Sequence, residues 1–250
     1  METLTPKLIL VPTDFSAPAA RALRYAAALG ARFEAHLLVV YADSFAPALD
    51  FTVSEAVAVS IPQDDLIEAA REQLQTFAET NISTAMPYDV RVVVGTPTDA
   101  IVAQVRESGA NLIVMGTHGR TGLRHLLFGS VTEAVMRVAP VPVLAVHGAT
   151  PETAPMQVVV GSRSTLEGRA AVEYAGVLAD AENARLIEVS EPELILTALR
   201  EGADLIALGV GEKDVQEQVV QHSNCAVLAV NALTARALQA RELAPAGVRT

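Results

Sequence analysis

Two periods of apolar residues alternate along the chain. Runs rich in apolar residues occur at positions 8–11 (Leu-Ile-Leu-Val), 37–41, 90–94, 112–115 and 143–146. They are short and bounded by turn residues, so they read as buried strands. Between them, apolar residues fall three and four apart. Leu23, Ala26 and Ala27 follow Ser16, a helix N-cap type, with Pro18 in the first turn and Gly30 as the stop. Leu66, Ala70, Leu74 and Phe77 form a second stripe behind Asp64 and Asp65, which suit the positive end of a helix dipole. Ile101, Val102 and Val105 form a third, with Thr98 as the cap and Gly109 as the stop. Val131, Ala134, Val135 and Val138 form a fourth. Residues 42–63 are loop-like. Alternating strand and helix predict an α/β fold, an open parallel sheet covered on both faces.

The pattern then restarts. Residues 148–156 have linker composition, and 158–160 begin a new strand. Tyr25 matches Tyr174, and Leu37-Leu38 matches Leu186-Ile187, at a shift of 149 (174 − 25). Gly109-Ala110-Asn111-Leu112-Ile113 is echoed by Gly202-Ala203-Asp204-Leu205-Ile206 at a shift of 93 (202 − 109). Val143-Leu144-Ala145-Val146 returns at 227–230, a shift of 84 (227 − 143). Ordered matches of this kind indicate an internal repeat. One deletion removes about 56 residues (149 − 93), enough for a strand and a helix, and another removes 9 (93 − 84). The expected organisation is two tandem open parallel-sheet domains, the second truncated: 1–147, a linker 148–156, 157–231, and a C-terminal helix and tail 232–250.

Composition narrows the function classes. Hydrophobic residues are 51% and charged residues 19%, so the chain can bury a core and is not disordered. The net charge of −11 is spread evenly, −5 over 1–150 (10 − 15) and −6 over 151–250 (8 − 14). No basic half exists to grip a phosphate backbone, which argues against nucleic acid. Trp is absent and aromatics are 4%, which argues against stacked bases. Cys225 is the lone cysteine, so no intramolecular disulfide forms, in keeping with a cytoplasmic protein. The N-terminal residues lack the pattern of a secretory signal, and no apolar run reaches the roughly 18–20 residues of a membrane span.

The segment 115–130 carries the candidate chemistry. Its glycines let backbone N–H groups approach an anion, and the helix starting at Ser130 adds unpaired N–H groups and a positive dipole end. From Ser108 to Thr132 there is no Asp or Glu, while Arg120 and Arg124 are present. Phosphate binding is one reading. The other is a capping box, Ser130-Val131-Thr132-Glu133, in which Ser130 and Glu133 satisfy the helix's own N–H groups. Asp14, just after the first strand, is either a turn former or an acceptor for ribose or base. If the first and fourth strands are neighbours, Asp14 and the Gly-rich loop face one crevice at a topological switch point. A P-loop is excluded because the stretch has no lysine, and no G-x-S-x-G elbow exists. The histidines show no metal-ligand spacing.

Gly116-x2-Gly119-x9-Gly129-Ser130 resembles, at every fixed position, the ATP-binding pattern G-x2-G-x9-G-[S/T] of the universal stress protein family. Val11-Pro12-Thr13-Asp14-Phe15-Ser16 is similar to that family's first strand and loop, and Pro142-Val143-Leu144-Ala145-Val146 to its last strand. The resemblance covers residues 5–147, and the repeat resembles tandem-domain members. It implies a five-stranded sheet of order 3-2-1-4-5 with ATP between the first and fourth strands. It implies Pro12, Thr13 and Asp14 on the ribose or adenine side and the Val40 backbone against adenine. Gly116, Thr117, His118, Gly119, Arg120 and Gly122 would form the phosphate loop, with Gly129, Ser130 and Val131 at the helix start. Mg²⁺ would accompany the phosphates, held mainly by them and water, with no protein metal site. No catalytic residue is implied. The expected role is a cytoplasmic ATP-binding regulator of the stress response with unknown protein partners, hydrolysing ATP slowly or autophosphorylating at most. An ATP-using enzyme of a related superfamily and a nucleotide-free scaffold are the alternatives.

The second half departs from the pattern. Arg163 takes the place of Asp14, Glu212 falls where Gly119 would be, and no Gly-Ser pair follows. No ATP site is expected in 157–231. The apolar strand 143–146 is expected to pair with 227–230 of the same chain, with a homodimer through such strands left open.

Overall fold

The computed structural model describes residues 4–45, 62–82, 86–117, 129–147, 150, 156–211 and 225–243. The first half runs β1 (Leu8–Thr13), α1 (Ala17–Phe33), β2 (His36–Asp43), α2 (Gln63–Asn81), β3 (Tyr88–Val94), α3 (Pro97–Ser108), β4 (Leu112–Gly116), α4 (Ser130–Val138) and β5 (Val143–Val146). The second runs β6 (Val158–Ser162), α5 (Leu166–Glu182), β7 (Arg185–Val189), a 3₁₀ turn (Glu191–Glu193), α6 (Leu194–Glu201), β8 (Leu205–Val210), β9 (Ala226–Asn231) and α7 (Ala232–Leu243). No helix of the described residues is long and apolar enough to cross a membrane.

The nine strands of the described residues join in a single sheet of order β3-β2-β1-β4-β5-β9-β8-β6-β7. The first five have the expected order 3-2-1-4-5 and are parallel. The order β7-β6-β8-β9 reproduces β2-β1-β4-β5, again in parallel, without counterparts of α2 and β3. The halves meet at β5 and β9, which pair antiparallel with Val143 opposite Ala229, Leu144 opposite Leu228 and Ala145 opposite Val227. Alternate strand residues serve opposite faces. Ile9, Leu112, Leu144 and Leu228 pack under α1 and α5, whereas Leu10, Ile113, Val143 and Val227 pack under α3, α4 and α6. Both cores run unbroken across the junction.

The two halves use the same hydrogen-bonding device. Asn111 Oδ1 accepts the N–H groups of Lys7 (2.9 Å) and Leu8 (3.2 Å), tying the start of β1 to β4. Asp204 Oδ2 does the same for Gln157 (2.8 Å) and Val158 (3.0 Å) between β6 and β8. Each device also meets a tyrosine of the other half. The Tyr174 hydroxyl lies 3.5 Å from the Asn111 carbonyl oxygen. Burial, reinforced by the charge of Asp204, pushes the Tyr25 hydroxyl up to about 12. An Arg32–Glu182 ion pair links α1 to α5.

Two helix boundaries differ from expectation. Gly30 does not stop α1, which continues to Phe33 and closes at Glu34 in the left-handed region (φ 52°), its N–H bonded to the Gly30 carbonyl. Gly30 is there for close packing, since a Cβ would come within 3.1 Å of Met86 Cε. Helix α3 starts at Pro97 with Thr96 as N-cap, because a proline suits the first helical position. Gly109 does close α3, at φ 75°.

Because the core is continuous, Leu228→Ala should destabilise both halves together. Urea unfolding should show one transition, shifted by about 2–5 kcal/mol, the usual cost of deleting a buried leucine.

Candidate functional site

Strand β1 has β2 on one side and β4 on the other, so the chain leaves the two central strands in opposite directions. The connections separate over the carboxyl ends of β1 and β4 and leave a crevice. A cavity of about 290 Å³ lies there. Eight of the predicted residues line it: Pro12, Thr13, Asp14, Val40, Gly116, Gly129, Ser130 and Val131. Thr117 is buried outside the lining, its carbonyl accepting the Gly129 N–H at 2.5 Å. His118, Gly119, Arg120 and Gly122 lie outside the described residues, as does Glu212.

A strained turn presents Asp14. The Thr13 hydroxyl oxygen accepts the Phe15 N–H at 3.0 Å, and Asp14 Oδ1 accepts the Ser16 N–H at 3.0 Å. Phe15 has φ 64°, unusual for any residue but glycine. Its ring is held 4.6 Å from Tyr41 and 5.5 Å from Phe77, so aromatic packing sustains the strain. The turn leaves Asp14 half-buried in the cavity wall.

Three helices begin near the crevice: α3 at Pro97, with no side-chain cap and Asp99 in its first turn, and α1 and α4, which differ. The Ser16 hydroxyl accepts the Ala19 N–H and caps α1. Helix α4 has Gly129 as N-cap and no side-chain cap. The capping-box alternative is thereby overturned. Ser130 is the first residue inside the helix, one place too late to cap it, and Glu133 turns outward to Arg137 at 2.8 Å. The helix start is tethered instead by the Thr132 hydroxyl, which donates to the Gly116 carbonyl at 2.8 Å. Among the described residues, the first-turn N–H groups and the positive dipole end thus face the cavity without a side-chain cap, a ready anion site.

The rest of the wall is mostly apolar. Ala42, Pro97, Ile101 and Met115 join Val40, with Ala19 and Thr132 at the margins. Sequence reading missed all six; the five apolar ones look the same at a strand or helix end as in the core, and Thr132 reads as an ordinary helix position. The wall therefore offers an apolar surface, one carboxylate and an anion-ready helix end. Among the described residues no group of His, Cys, Asp and Glu could hold a metal ion.

Gly116 has a packing role distinct from ligand approach. A Cβ there would sit 2.9 Å from the Pro18 backbone at the start of α1. Gly209, its counterpart at the shift of 93, makes the same approach to α5, 2.6 Å from the Gly168 nitrogen. The half with no Gly-Ser pair keeps this contact. That half also lacks the strained turn. Lys7 aligns with Gln157 through the shared hydrogen-bonding device, a shift of 150 (157 − 7), whereas the N-caps Ser16 and Thr165 are 149 apart (165 − 16). One residue has gone from the β6–α5 connection. Counted from the strand, Arg163 stands at Thr13 rather than Asp14, and it pairs with Glu188 at 2.7 Å.

A model of the universal stress protein family matches residues 6–147. A universal stress protein of Methanocaldococcus jannaschii is 30% identical over 140 residues, covering 56% of this chain and 81% of that protein. One from Mycobacterium tuberculosis is 32% identical over 147 residues, covering 56% of this chain and 96% of that protein. Among solved structures, a universal stress protein from Archaeoglobus fulgidus matches 91% of this chain and 97% of its own, with a TM-score of 0.68 at 17% identity. That last likeness is one of fold, and it extends through both halves.

Gly129→Asp should supply the cap that α4 lacks, since φ −59° and ψ 146° suit any residue. Thermal unfolding of the ligand-free protein should show a gain of about 0.5–1 kcal/mol. Gly116→Ala should cost about 1–3 kcal/mol by overpacking against Pro18, with no ligand present.

Proposed function

The chain belongs to the universal stress protein family, and on that footing we propose that residues 1–147 form an ATP-binding domain and that 157–231 are a degenerate copy without a site. The observation that carries this reading is the uncapped start of α4 opening on the same cavity as Asp14. A nucleotide fits that wall in one direction. Adenine lies in the slot of Val40, Ala42 and Ile101. The ribose hydroxyls donate to the Asp14 carboxylate. The phosphates meet the N–H groups of Ser130 and Val131, beside Gly129, whose own N–H is held by the Thr117 carbonyl.

The Gly-rich stretch adds to the phosphate end by sequence alone. Gly119 and Gly122 permit close backbone approach, and His118 and Arg120 bring donors and positive charge. Mg²⁺ enters with the phosphates and is held by them and by water. In this arrangement Asp14 serves the ribose and not the bond that hydrolysis would break, which fits a nucleotide-sensing role. Bound ATP favours one state of the protein, and a change in affinity for protein partners in the cytoplasm is the output.

Titration calorimetry with Mg-ATP should find one nucleotide per chain. Gly129→Asp, which puts a carboxylate where phosphate goes, and Gly119→Val should both abolish the signal. Two nucleotides per chain would contradict the degenerate second half. No binding at all would favour a nucleotide-free scaffold, and fast steady-state ATP consumption would favour an enzyme.

A further inference from the structure

The two ends of α4 have different partners. Its N-terminus opens on the cavity. Its C-terminus is closed by the other half of the chain. Asn231 Nδ2 donates to the carbonyls of Met136 (2.9 Å) and Ala139 (2.8 Å). The Thr234 hydroxyl donates to the same Ala139 carbonyl at 2.8 Å. The Thr234 N–H returns to Asn231 Oδ1 at 2.9 Å, so Asn231 also caps the start of α7. Asn231 is 4% exposed and Thr234 is fully buried. The last carbonyls of a helix have no intrahelical donor, and leaving them unpaired in a dry interior is costly. Here they are satisfied by side chains more than 90 residues away in sequence.

A helix this short moves as a rigid body. Nine residues span about 13 Å, so a shift at one end is felt at the other. Besides the clasp, α4 is held by Val131, Val135 and Met136 against the core and, near the cavity, by the Thr132 tether and the Gly129 N–H to the Thr117 carbonyl. We propose that Asn231 and Thr234 are positioning residues for the nucleotide site: the half without a site of its own sets where the phosphate-binding end of α4 lies. The ligand rests on the function proposed above, whereas the clasp does not. By linkage, an anion at the N-terminus and the clasp at the C-terminus then strengthen one another.

The test uses Thr234→Val, which keeps the shape and removes the hydroxyl, and Thr234→Ser, which keeps the hydroxyl. Two quantities are read in the full chain. One is Mg-ATP affinity. The other is hydrogen exchange, without nucleotide, at the Glu133 amide, which bonds to the Gly129 carbonyl at the cavity end. Thr234→Val should weaken Mg-ATP binding about 3–10-fold and speed exchange at Glu133, and Thr234→Ser should restore both. Val159→Ala, a destabilising change in the β6 core away from the clasp, should leave affinity unchanged. Unaltered affinity in Thr234→Val, in a chain whose wild type binds, overturns the inference, as does a Thr234→Ser variant as impaired as Thr234→Val. If the wild type binds no Mg-ATP, the proposed function falls and exchange at Glu133 decides the clasp: faster in Thr234→Val upholds it, unchanged overturns it.

Discussion

An apolar strand buried on both faces cannot be left at the edge of a sheet, where its free N–H and C=O groups would recruit any passing strand. β5 is such a strand, and its antiparallel partner β9 is the contact on which the other inter-half features depend. Once the two strands pair, the equivalent elements of the halves come together around the junction. Tyr174 reaches Asn111, Arg32 reaches Glu182, and Asn231 at the end of β9 reaches α4. The second half kept β8 and β9 and lost the counterparts of α2 and β3, which in the first half form the side of the sheet farthest from the junction. Its own outer edge, β7, is guarded by charge, with Arg185 paired to Glu201 and Glu188 to Arg163.

The crevice arises from topology, but its chemistry arises from two local departures from regular structure. One is Phe15, forced into the left-handed region and held by aromatic neighbours. The other is α4, which starts without a cap although Ser130 stands one position away from supplying it. The β6–α5 connection, one residue shorter, has a Thr165 cap and no left-handed residue. The halves therefore share a scaffold and differ at the strained turn, and strain of that kind is found at binding sites.

The sequence made the sheet legible because each strand was a compact apolar run and each helix a stripe at helical spacing. It revealed the internal match because Tyr25 and Tyr174, or Asn111 and Asp204, hold equivalent structural roles in the two halves. It misjudged Gly30, since a packing glycine and a terminating glycine carry the same letter. It left Ser130 ambiguous for a related reason: capping depends on whether the residue lies just outside or just inside the helix, a difference of one position. Ala42, Pro97 and Ile101 were invisible as site residues, because only the fold separates a cavity wall from a core. The reach of Asn231 and Thr234 to α4 was also hidden, since nothing in local sequence pairs residues so far apart.

The antiparallel junction also constrains assembly. With β9 in place, β5 has no free edge, so a homodimer formed through that strand is closed to this chain. The partner is covalently linked, which makes the pairing intramolecular and independent of protein concentration. A copy that never dissociates is free to lose its own ligand chemistry, provided that it keeps the strand that covers β5 and the side chains that close α4. What the second half retains matches that division. β9 and the start of α7 are buried, and Asn231 and Thr234 use their polar groups on the first half and on each other.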